Sequence, residues 1–128
     1  MRTYVRADER WLSLPDGGSP VTSDGSPYTR FKRALATGNL NLIRSAAAEL
    51  PRVGLPDALE VCLLMRDQDG RGFERAAVRW LGRFALEARN VTIEALERAA
   101  GALRAMPQSP DVAMEILSRL CLEHGVDR

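Results

Sequence analysis

From residue 27 onward, apolar side chains recur at spacings of three and four, the period of helices buried along one face. Tyr28, Phe31 and Leu35 define a first helix, with Ser26 placed to cap it and Pro27 at its first position, where the missing N–H is harmless. Gly38 ends it. Asn39 then caps a second helix carrying Leu40, Ile43, Ala47 and Leu50 as far as Pro51. Leu55-Pro56-Asp57 opens a third, apolar nearly all round (Leu59, Val61, Cys62, Leu63, Leu64, Met65) and so expected to be central. Asp69-Gly70 interrupts the pattern. A longer fourth helix places Phe73, Ala77, Trp80, Leu81, Phe84 and Ala88 on one side, with Trp80 and Phe84 expected in the core. Thr92 caps a fifth with Ile93, Leu96, Ala100 and Leu103 inward, and Ser109-Pro110-Asp111 starts a sixth with Val112, Ile116, Leu117 and Leu120 inward, ended by Gly125. No segment alternates with period two for long enough to read as a strand. The pattern predicts an all-α fold of about six helices packed as three αα-hairpins.

Residues 1–26 have a different texture. Turn signals crowd Leu14-Pro15-Asp16-Gly17-Gly18-Ser19-Pro20 and Ser23-Asp24-Gly25-Ser26-Pro27, with no helical or strand period. The expected organisation is an extended arm and linker over 1–26 and a helical domain over 27–128. Tyr4, Trp11 and Leu12 carry much of the arm's apolar surface, and aromatic rings bury large areas when they find a site. They are therefore candidates for docking in a groove between helices, of the same chain or of a second copy in a homodimer exchanged through the arm.

Two stretches of the helical region align. Arg79-Trp80-Leu81-Gly82-Arg83-Phe84-Ala85-Leu86-Glu87 matches Glu115-Ile116-Leu117-Ser118-Arg119-Leu120-Cys121-Leu122-Glu123, and Asp57-Ala58-Leu59-Glu60 matches Glu94-Ala95-Leu96-Glu97. Offsets of about 36 and 37 give a helix–turn–helix unit of solenoid-repeat length, a helical-repeat-like bundle. In helix packing the unit resembles tetratricopeptide and HEAT repeats. It departs from the tetratricopeptide pattern in that Trp80 stands in the second helix of its hairpin and Gly101 has no counterpart at Leu64. The other reading is that any two amphipathic hairpins share Ala, Leu and Glu at helical spacing.

Composition adds mainly exclusions. Lys plus Arg number 18 against 17 Asp plus Glu in 128 residues, a net charge of +1. That is no electrostatic footprint for nucleic acid, whose phosphates supply most of the binding affinity. The longest apolar run, Val61 to Met65, is far below the roughly 20 residues of a bilayer span. Met1 to Arg10 is charged throughout, unlike a secretory signal, and two cysteines (Cys62, Cys121) make no disulfide framework. A bacterial-type cytoplasm is the expected location.

Candidate chemistry is sparse. His124 is the sole histidine, and no Cys-x-x-Cys or His-x-x-x-His spacing offers a metal set. Asp67-Gln68-Asp69-Gly70 has the look of part of a calcium loop, but Met65 and Ala76 occupy ligand positions, so a helix-ending turn is the expectation. No nucleophile elbow and no Gly-rich phosphate loop are present. Neither an enzyme nor a cofactor is expected. One surface stands out: Arg71, Arg75, Arg79 and Arg83 recur at i,i+4 on the fourth helix, a candidate docking stripe for an acidic protein face. The competing account pairs these arginines with Glu60, Glu94 or Glu97 on neighbouring helices. The expectation is a non-catalytic helical interaction module, regulatory or adaptor in character. The alternative is a small DNA-binding regulator using the first two helices as a helix-turn-helix, with Asn41, Arg44 and Ser45 facing the groove.

Overall fold

A computed structural model describes residues 25–126, and the arm residues Tyr4, Trp11 and Leu12 lie outside the described part. Among the described residues every regular element is a helix, six in all, packed in pairs: α1 Pro27–Thr37, α2 Leu40–Ala47, α3 Leu55–Gln68, α4 Gly70–Glu87, α5 Ile93–Ala105 and α6 Pro110–Glu123. The all-α expectation and its helix count hold. Two compact units share the chain, Met1–Val53 and Gly54–Arg128, with their boundary inside the stretch read from sequence as one helical domain.

The first unit contains the α1–α2 hairpin. Ser26 Oγ accepts from Thr29 N at 3.2 Å, and Gly38 adopts φ 72°, a left-handed geometry that glycine reaches without steric penalty. Asn39 Oδ1 then accepts from Asn41 N and Leu42 N, so the two helices are joined by only two residues. Phe31 and Ala34 of α1 and Leu40, Ile43 and Ala47 of α2 are buried. Tyr28 is half exposed, its ring tilted against Phe31 at 6.4 Å. α2 is shorter than its apolar pattern predicts: it ends at Ala47, and a tight turn (Leu50 N to Ala47 O, 3.0 Å) carries the chain to Pro51.

In the second unit, α3 packs on α4, α5 on α6, α4 on α5 and α6 back on α3, which closes a ring of four helices. The two repeat-related hairpins thus occupy equivalent places in the ring. Asp69 alone connects α3 to α4. Its N–H closes α3 on Met65 O at 2.8 Å while its carboxylate accepts from Gly72 N at 3.0 Å, capping α4. Thr92 caps α5 through Ala95 N as expected, but the Ser109 side chain makes no cap bond to α6. Pro110 at the first position carries that helix start instead.

Trp80 and Phe84 are fully buried and stacked at 5.3 Å, and the Trp80 indole donates to Leu55 O at 2.9 Å. The His124 ring also contacts Phe84, standing perpendicular to it at 5.8 Å. His124 Nδ1 lies 2.8 Å from Arg89 O, and Arg89 N–H donates back to His124 O at 2.9 Å. A carbonyl only accepts, so Nδ1 carries the hydrogen. This reciprocal pair fastens the end of α6 to the α4–α5 connection.

Candidate functional site

The arginines of α4 do not form one stripe. At about 100° per residue, each i,i+4 step drifts by about 40°, so Arg83 lies about 120° around the helix from Arg71. Arg71 and Arg75 are exposed, Arg79 is half buried, and Arg83, at 3% exposure, is buried beside Ala76 and Trp80. The expectation that Arg83 faces a partner is therefore corrected: it has rotated into the core sector. Its pairing also differs from the cross-helix account. Arg83 Nε donates to Glu87 Oε2 at 2.7 Å and Nη2 to Glu87 Oε1 at 3.3 Å, one turn along the same helix. Buried Nη1 has no hydrogen-bond partner.

What remains outside on α4 borders a groove that the sequence reading did not single out. Between α4 and α5, Phe73, Ala77, Leu81, Ala100 and Leu103 line a hollow of about 470 Å³, with Val78 on its rim at 62% exposure. Gly70 and Pro107 close one end, where Arg66 and Arg104 also stand, and Glu74 is the acidic group on the lining. Around α4, Val78 falls between the groove residues and the Arg71–Arg75 edge. The exposed arginines and the apolar trough thus adjoin.

By the sequence offsets, Leu81 corresponds to Leu117 and Ala100 to Leu63. Leu117 is fully buried, whereas Leu81 is only half buried. Ala100 supplies one carbon where its counterpart supplies four, and Gly101 beside it supplies none.

On the first unit, Asn41 and Ser45 are exposed and Arg44 is half buried. Ser45 and Leu42 line a shallow hollow on the α1–α2 hairpin, spanned by the Arg30–Glu49 ion pair at 2.5 Å. The three residues considered for DNA contact are therefore not equally presented. Both cysteines are buried thiols, and burial pushes the Cys62 thiol up to about 12. Among the described residues no group of three His, Cys, Asp or Glu side chains is placed to hold a metal ion, and no helix is long and apolar enough to cross a membrane. Comparison with protein-family models, curated proteins and solved structures gives no match for this chain.

Proposed function

We propose that this chain is a non-catalytic helical interaction module that captures an acidic protein surface, in a regulatory or adaptor role in the cytoplasm. The supporting observation is the adjacency on α4: Arg71 and Arg75, both exposed, lie on the helix edge next to exposed Val78, which rims an apolar trough. Apolar surface beside guanidinium groups is a composition that protein interfaces favour, because arginine pairs with carboxylates in two-pronged geometry and also packs its stem.

The test is capture by immobilised full-length chain, wild type against Arg71→Gln/Arg75→Gln. The expected result is a retained protein whose recovery falls at least fivefold with the double variant, while circular dichroism and melting temperature stay unchanged. Retention independent of both arginines would overturn the proposal. Salt-sensitive binding of duplex DNA in the micromolar range would move the assignment to the DNA-regulator alternative.

A further inference from the structure

The geometry points to a specific occupant for the α4–α5 groove, resting on the interaction-module reading above: a short amphipathic helix bearing carboxylates at one end. The length comes from α4. Phe73 to Leu81 is eight helical steps, about 12 Å at the helical rise. Two to three turns of an incoming helix would cover it, with apolar residues spaced i, i+4, i+7 over Ala77, Leu81 and Ala100.

The backbone type follows from what the groove lacks. Both walls are helices, whose backbone groups are bonded internally along their length, so no strand edge exists for an extended peptide to pair with. Phe73 is the single aromatic side chain in the lining, too little for a proline-rich ligand that needs an aromatic-lined surface. A helix satisfies its own backbone and needs only side-chain contact.

Charge sets the polarity. Arg66 in the last turn of α3 and Arg104 in the last turn of α5 stand at the Gly70–Pro107 end, with Glu74 the opposing charge on the lining. Arg71 and Arg75 add positive charge on the α4 side. Arg66 is already held by Asp67 at 2.8 Å, so Arg104 is the stronger anchor for an incoming carboxylate. The occupant's acidic end therefore lies toward Arg66 and Arg104, and its apolar end toward Leu81.

A display library of random 16-residue peptides, selected on the full-length chain, supplies the probe. Expected winners carry apolar residues at i, i+4, i+7 with Asp or Glu grouped at one end. A synthesised winner should shift amide resonances of Phe73, Ala77, Leu81, Ala100 and Leu103. Ala100→Leu, which adds three carbons to the groove lining, should weaken binding at least tenfold without lowering the melting temperature. Arg104→Gln should weaken it several-fold. Failure to enrich, enrichment of basic or non-periodic sequences, shifts mapping elsewhere, or full affinity in Ala100→Leu would each overturn the assignment. If these fail while Arg71→Gln/Arg75→Gln still abolishes capture, the module reading stands and only the groove occupant is wrong.

Discussion

The indole N–H of Trp80 donates to the backbone carbonyl of Leu55 at 2.9 Å, in a site closed to solvent. Leu55 is the first residue of α3, so one side chain fixes the start of that helix against the middle of α4. The same ring stacks on Phe84. Trp80→Phe keeps an aromatic ring but loses the donor and part of the volume. The expected loss is about 1–2 kcal/mol, against about 3–5 kcal/mol for Trp80→Ala, which also opens a cavity. Urea denaturation of the two variants checks the order, and equal losses would show that the hydrogen bond and the stacking contribute nothing separable.

Arg83 and Glu87 form a pair that is mostly out of water, with side-chain exposures of 3% and 17%. Desolvating a guanidinium is costly, and Nη1 receives no acceptor in return. Replacing Arg83 with Met, similar in stem and free of charge, should therefore be neutral or stabilising. Glu87→Ala should cost about 3 kcal/mol, because it strands the buried cation. Thermal melts of both variants decide this; a destabilised Arg83→Met together with a silent Glu87→Ala would reverse the argument.

The places where sequence reading and structure part company share a cause. Helix boundaries at Pro27, Gly38, Asp69 and Thr92 were legible because capping is local chemistry. Core faces were less so. On α5 the buried row is Ala95, Ala99, Ala102 and Leu103, while Ile93 is 73% exposed; on α6 it is Ala113, Leu117, Leu120 and Cys121, while Val112 is 61% exposed. Both rows follow the i, i+4, i+7, i+8 pattern; Leu103, Leu117 and Leu120 are buried as expected, but Ala95, Ala99, Ala102 and Ala113 carry the rest. A search for large apolar groups misses these alanines and picks the exposed Ile93 and Val112 in their place. Arg83 is the same error in reverse, since four evenly spaced arginines look collinear until the drift of about 40° per step is counted. The groove was hidden because it arises where α4 meets α5, a pairing that no motif in either helix announces.

Cys62 gives the fold an alkaline signature. Its thiol is pushed up to about 12 by desolvation, above the unfolded-state value near 8.5. The folded state therefore keeps a proton that the unfolded state releases. The associated stabilisation is complete below about pH 8.5 and is lost as pH rises toward 12, with a slope of up to about 1.4 kcal/mol per pH unit. Cys62→Ala removes the group and should flatten the curve by that amount between pH 9 and pH 11. Thiol reagents should also leave Cys62 untouched in the folded protein at pH 8. Parallel pH dependences for wild type and variant would show that the thiol is not linked to folding.

Three helical glycines separate backbone entropy from sterics. Gly82 and Gly101 lie inside α4 and α5, are exposed, and have open space where a methyl would go. Alanine at either should stabilise by about 0.5–1 kcal/mol, because glycine loses more freedom on folding. Gly72 has the same helical setting and the opposite expectation. A Cβ there would collide with the Asp69 carboxylate and come within 2.7 Å of the buried Met65 methyl. Asp69 has little freedom to yield, since its carboxylate caps α4 through Gly72 N and its N–H closes α3. Loss of a cap costs about 1 kcal/mol and displacement of a core methionine adds to it, so the propensity gain is outweighed. Gly72→Ala should lower stability by about 1–2 kcal/mol while Gly82→Ala and Gly101→Ala raise it. If all three melt higher than wild type, Asp69 can move at little cost and the one-residue junction between α3 and α4 is not held by its cap.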